Sequence, residues 1–192
     1  MKLRLRMELI SDTIFGNGES VPGGEDIAVQ CDDMGFPYYN AGTFKGVFGE
    51  MLHRLLSWQG FSDQESLSKT KELLGEGKIA DSLDGKQLIF SDFVLSDNVK
   101  KVMLDEMGYG TPDRILSVLS HLRTFTRIEE GMVAEGSLRS ARCINKGLIF
   151  YSTIECADND TELVKETVGL IKSIGTMRNR GFGEVDITCE EV

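Results

Sequence analysis

Leu3, Leu5, Met7 and Leu9 alternate with Lys2, Arg4, Arg6 and Glu8 at the start of the chain. A period of two is the mark of a half-buried strand, here with a largely basic open face over residues 2–10. Residues 11–42 follow as a long connection rich in Gly and Asp, a length that points to function or mobility. The period then changes. Phe44, Val47, Phe48, Met51, Leu52 and Leu55 form one apolar stripe, which predicts a helix over about 43–58 with Thr43 as its N-cap.

A variable acidic stretch follows. Lys86 to Leu95 reads as a second strand, and residues 98–122 read as helical, with Thr111-Pro112 as a start signal. Residues 123–142 are basic and polar, with Gly131 and Gly136 as turn points, and Asn145-Lys146-Gly147 makes a tight turn. Leu148 to Cys156, rich in β-branched and aromatic residues, predicts a third strand. Asn159 to Glu162 has the form of a capping box opening a helix whose buried side runs from Leu163 to Ile174. Gly175 to Gly183 is a loop, and Val185, Ile187 and Cys189 alternate in a last strand.

The order β-α-β-β-α-β with an insertion predicts an α+β, ferredoxin-like (RRM-like) fold. Its antiparallel four-stranded sheet would have two helices on one face, leaving the other free to bind. The whole chain, 1–192, reads as one domain with a thumb or helical segment inserted at about 98–142.

Charge refines this. The 192 residues carry a net charge of −10, which argues against a general nucleic-acid binder. The charge is unevenly spread. Residues 61–113 hold eleven acids against six lysines, whereas residues 172–183 hold Lys172, Arg178 and Arg180 and no acid. No stretch reaches the roughly 20 apolar residues of a membrane span, and the charged start does not resemble a signal peptide. Cys31, Cys143, Cys156 and Cys189 form no close pairs, so the reading is of reduced thiols in a cytoplasmic protein without zinc.

Four places carry candidate chemistry. Gly42-Thr43-Phe44-Lys45-Gly46 joins a flexible backbone, a helix start and a cation, the ingredients of a phosphate site. A simple N-cap with a solvated lysine is the plainer alternative. In Gly175-Thr176-Met177-Arg178-Asn179-Arg180-Gly181-Phe182-Gly183, glycines permit close approach to a sugar-phosphate chain and arginines make forked phosphate contacts. Phe182 there either stacks on a base or fills the core. Glu25, Asp26, Asp32 and Asp33 are carboxylates able to bind Mg²⁺, or merely solvated. Arg123, Arg127, Arg139, Arg142 and Lys146 flank a hairpin that can lie along a nucleic-acid strand, although Arg127 can equally pair with Glu129 or Glu130. His53 and His121 read as helix-surface or half-buried residues.

Three segments together resemble the RAMP superfamily, and within it the backbone subunits of type III CRISPR effector complexes. Gly35-Phe36-Pro37-Tyr38 through Lys45-Gly46 is similar to the segment that opens the family's first helix, with Asn40-Ala41-Gly42 where the family has Pro-Gly-Ser. Thr126-Arg127-Ile128-Glu129 through Leu138 is similar to the segment after its inserted hairpin, and Ile174 through Val185 to its glycine-rich loop.

The resemblance implies a role in antiviral defence. Copies line up on a guide RNA with other effector subunits, each gripping the RNA backbone. A thumb hairpin from each separates one base pair between guide and target RNA. Thr43, Lys45, Arg127, Arg139, Gly175, Arg178, Asn179, Arg180, Gly181, Phe182 and Gly183 are the RNA-binding residues so implied. Asp26, six residues before Asp32, matches the family's cutting aspartate. It implies an endonuclease that uses Mg²⁺ or another divalent cation within a multi-subunit complex. Two alternatives stay open: a non-catalytic guide-RNA holder, and a guide-processing endoribonuclease.

Overall fold

A computed structural model describes residues 1–16, 18–20, 25–75, 88–107, 111–129 and 131–192. The alternating N-terminal segment is strand β1 (Lys2–Leu9), with Leu3, Leu5, Met7 and Leu9 buried. Helix α1 (Ala41–Trp58) begins two residues before the expected Thr43. Its N-cap is Asn40, whose side chain accepts the N–H groups of Gly42 at 2.8 Å and Thr43 at 3.3 Å. A further helix, α2 (Asp63–Leu74), occupies part of the acidic stretch. It opens with a capping box in which Ser62 and Glu65 satisfy each other's backbone N–H.

The second strand is broken into β2 (Ile89–Phe90) and β3 (Val94–Leu95). Both pair with the later strand β8 (Ile149–Glu155): Phe90 faces Ile154 and Val94 faces Tyr151. Three residues therefore oppose two, which is a β-bulge at Ser91–Phe93. The expected start at Lys86 lies outside the described residues. The predicted helix 98–122 is two helices, α3 (Asp97–Met107) and α4 (Pro112–Leu119). Its last three residues instead begin strand β4 (Ser120–Phe125), where exposed Leu122 faces Arg142 across the ladder.

β4 pairs antiparallel with β7 (Arg139–Ile144), and between them lies the small hairpin of β5 (Ile128–Glu129) and β6 (Met132–Val133). Gly131 and Gly136, both at positive φ, supply the turns. Together these strands make the thumb. The Asn159–Glu162 capping box does not form. Helix α5 (Thr161–Leu170) follows one 3-10 turn, and its N-cap Asp160 makes no side-chain cap. Strand β9 (Val185–Glu191) ends the fold.

The main sheet runs β2-β8-β1-β9 and is antiparallel throughout. Counting β2 and β3 as one strand, this is the ferredoxin-like order second-third-first-fourth. α1 packs on α5, α2 and β2, and α5 packs on β9. Phe44, Phe48, Leu52, Val164 and Val168 thereby bury the sheet's inner residues in one core. Each large side chain removed from water there contributes about 1.5–3 kcal/mol.

The outer face of the sheet is uncovered, but it is not a basic platform. Arg6 is paired with Glu8 at 2.8 Å, Lys2 with Glu155 at 3.4 Å, and Arg4 lies 4.7 Å over the ring of Tyr151. Asp186 and Glu190, exposed on β9, sit across from Glu8 and Arg4.

Candidate nucleic-acid interface

A second, smaller core decides where the site residues fall. Ile14, Ala141, Cys143 and Phe182 are buried together, with Ile27, Phe125 and Met177 packed against them. One set of contacts thus joins the N-terminal connection, the thumb and the glycine-rich loop. Phe182, 5% exposed, meets Phe125 edge-on at 5.6 Å, and Arg123 lies 5.1 Å above its ring. Of its two possible roles, Phe182 takes the packing one; its ring is not open to a base.

The glycine-rich loop runs along residues 10–16. Thr176 donates to the Ile14 carbonyl at 3.2 Å and Gly183 to that of Asp12 at 2.9 Å. The glycines divide by role. At Gly175 a Cβ would lie 2.6 Å from the Ile14 carbonyl oxygen, and at Gly183 2.0 Å from that of Ile174. Both stand at positive φ, so the chain's own packing demands them rather than a ligand. Gly181, also at positive φ, has nothing within 4 Å of a Cβ and is open to approach.

Arg178, Asn179 and Arg180 form an exposed 3-10 turn. They border a groove of about 810 Å³ between the loop and α1, lined also by Arg54, Lys172 and Glu50. Four cations thus line the groove with one carboxylate, and Lys172 also pairs with exposed Asp186 outside it at 3.7 Å. Among the described residues, neither Arg178 nor Arg180 has an ion-pair partner. The sequence reading did not single out Arg54. Its signal is the helical spacing that puts Glu50 and Arg54 next to Val47 and Met51 at the edge of the apolar stripe.

The helix start does not form the expected phosphate cradle. Asn40 takes the N–H groups of Gly42 and Thr43, and the Asp92 carboxylate takes that of Ala41 at 2.6 Å. The first-turn donors are used, and a negative charge already sits on the helix dipole. Thr43 is exposed and Lys45 half-buried, but neither lines the groove.

The acidic loop does not gather into a cluster. Glu25 is clamped by Arg142, with Nε at 2.7 Å and the other fork nitrogen at 3.2 Å. Asp32 accepts the N–H groups of Met34 and Phe36 and pairs with Lys100 at 3.2 Å. Among the described residues no three His, Cys, Asp or Glu come together as a metal site. Asp26 stands apart and exposed. Its Oδ2 accepts the N–H of Ser140 at 2.7 Å, and its own N–H donates to the Ser140 carbonyl at 2.9 Å. Asp26 is thereby docked on strand β7 at the end of the β4–β7 ladder away from Ile144, where exposed Arg139 is the next residue to Ser140. Arg127 is paired with Glu129, an exposed and therefore weak interaction.

The histidines are engaged elsewhere. His53 meets Asp63 at 3.0 Å, and His121 meets Asn145 at 2.7 Å and Asp12 at 3.5 Å.

The sequence pattern of the RAMP superfamily matches residues 6–186, and the chain belongs to that superfamily. Among solved structures, a Type III-B Cmr-beta complex bound to cognate target RNA contains a similar chain. The two are 12% identical with a TM-score of 0.69, over 98% of this chain and 97% of that one. The apo state of Cmr-beta gives 14% identity and a TM-score of 0.69, over 100% and 98% of the two chains. Oligomeric Cmr4 from Pyrococcus furiosus gives 15% and 0.55, again over 100% and 98%. These likenesses establish a shared fold. No curated protein matches by sequence. No helix among the described residues is long and apolar enough to cross a membrane.

Proposed function

We propose that this chain is a backbone subunit of a type III CRISPR interference complex. In this reading it holds guide RNA by its phosphates in the groove between α1 and the glycine-rich loop, and cuts target RNA at the thumb with Asp26. The observation that carries the RNA-holding part is the groove. Arg54, Lys172, Arg178 and Arg180 converge there in a protein whose net charge is −10. Such a local concentration of cations attracts a polyanion despite the overall charge. Family membership and the fold shared with Cmr chains support the assembly.

For the cutting step, a divalent cation fits the donors present. Mg²⁺ is commonly held by one or two carboxylates plus substrate phosphates, with water completing its shell. Asp26 gives one oxygen to Ser140, and its other oxygen has no partner among the described residues. A bound cation would neutralise charge developing on the scissile phosphate. The protein's own part is alignment. Strand β7 holds Asp26 fixed while the thumb splays one nucleotide, placing its 2′-oxygen in line with the leaving 5′-oxygen. The 2′-hydroxyl gives its proton to water as its oxygen bonds to phosphorus, the P–O5′ bond breaks, and the departing 5′-oxygen takes a proton from water, leaving a 2′,3′-cyclic phosphate and a 5′-hydroxyl.

The absence of a three-ligand cluster among the described residues favours one second reading, a guide holder without catalysis. One experiment separates the two. The complex is purified with its RNA, and cleavage of complementary target is followed with and without Mg²⁺. Asp26→Ala should abolish cleavage while guide RNA of defined length still co-purifies. Persistent cutting by the variant refutes the catalytic assignment, and absence of co-purified RNA refutes the reading altogether.

A further inference from the structure

We infer that the Glu25–Arg142 ion pair positions Asp26 for cleavage by locking its loop to the thumb strand β7; this rests on Asp26 being the cutting residue. The pair is nearly withdrawn from water, with side chains 12% and 19% exposed. Arg142 grips both carboxylate oxygens in a fork and also reaches the Ser120 hydroxyl at 3.3 Å. A buried bidentate pair is far more rigid than a surface one.

Its place matters more than its strength. Glu25 precedes Asp26, and Ser140 and Arg142 lie two apart on β7, so they share one face of the strand. The backbone between the two clamps is laid against the strand as well. The N–H groups of Asp26 and Ile27 both donate to the Ser140 carbonyl, and that of Arg142 to the Ile27 carbonyl. Those backbone bonds hold the loop at Asp26 and after it. Glu25 adds a side-chain anchor immediately before Asp26, so that the carboxylate is fixed from both sides. Movement of the thumb is therefore transmitted directly to the carboxylate.

Supporting groups of this kind typically change activity ten- to a hundredfold when removed, because small misplacements are costly. Two variants test the clamp. Glu25→Gln removes the charge, and Arg142→Lys keeps the charge but loses the fork. Hydrogen exchange on the full chain reads the amides of Asp26 and Ile27 directly. Exchange should quicken at least about tenfold in both variants while core amides on β1 stay protected. In the assembled complex, target cleavage should fall about tenfold or more with guide RNA retained. The charge-swapped double variant, Glu25→Arg with Arg142→Glu, should recover part of both.

Unchanged exchange at Asp26 and Ile27 would overturn the clamp. Quickened exchange with unchanged cleavage, in a complex that Asp26→Ala inactivates, would overturn the positioning role alone. Full cleavage by Asp26→Ala would instead sink the catalytic reading, and this inference with it.

Discussion

The backbone N–H of Gly175 donates to the hydroxyl of Tyr39 at 3.4 Å, joining the glycine-rich loop to the residue that precedes the cap of α1. Tyr39 is buried, and burial pushes its phenol up in pKa, against smaller opposing effects of the Gly175 N–H and the Arg178 charge. The two segments that border the cationic groove are thus pinned at one end by an un-ionised hydroxyl.

RNA held in this groove should lose affinity when its arginines go. Replacing Arg178 and Arg180 together with Ala should lower guide-RNA affinity. It should also reduce the slope of log K against log salt by about 1.4, the value for two phosphates of a single strand. Arg6→Ala, which removes a cation already paired with Glu8, should leave that slope unchanged. Filter-binding titrations at several salt concentrations measure both.

Phe182 should behave as a core residue. Phe182→Ala should destabilise the protein by about 3–5 kcal/mol, seen as a lower melting temperature. Phe182→Leu should be far milder and should keep RNA binding, because the loop's cations remain exposed. A large loss of RNA affinity in a stable Phe182→Leu protein would reassign the ring to stacking.

The loop glycines should separate under substitution. Gly181→Ala meets only the left-handed backbone penalty of about 1–2 kcal/mol. Gly183→Ala adds a Cβ where the Ile174 carbonyl lies 2.0 Å away and should cost considerably more. Chemical denaturation of the two variants, read side by side, gives the difference.

Burial, aided by the nearby Asp12 charge, pushes the Cys143 thiol up to about 11 from its ordinary 9.0. The folded chain therefore keeps that proton where the unfolded chain loses it. The resulting stability is complete below pH 9 and is lost as pH rises toward 11. Cys143→Ala should flatten the fall in stability between these pH values relative to the wild type. Alkylation at pH 8 should mark exposed Cys31 and spare Cys143.

The strands and helices with clean periods were legible: β1, α1, β8 and β9 lie close to where alternation and the 3.6-residue stripe put them, whereas α5 ends at Leu170 and Ile171 and Ile174 are buried from an extended segment. What failed did so for local reasons. Ser120 to Leu122 continue an apolar helical spacing, yet cross-strand pairing with β7 wins them for the thumb. α1 starts at Ala41 with Asn40 as its cap, and its first donor is met by Asp92, fifty-one positions away, which no local pattern encodes. Helix α2 was readable from Ser62 and Glu65, whose spacing is that of a capping box. For the site, the arginines of the tail loop stand exposed as expected. Glu25, Asp26 and Asp32, grouped by sequence, are parted by Arg142, Ser140 and Lys100, each brought in from a distant element.

The bulge at Ser91–Phe93 turns part of the sheet's rim onto the protein's own chain. Phe93 exchanges both backbone hydrogen bonds with Tyr39, so the rim of the sheet is already closed by the same polypeptide where a neighbour's strand would dock. A neighbouring strand cannot take these two backbone groups of Phe93. If copies line up on RNA as proposed, contact at this point falls to side chains rather than to a common ladder.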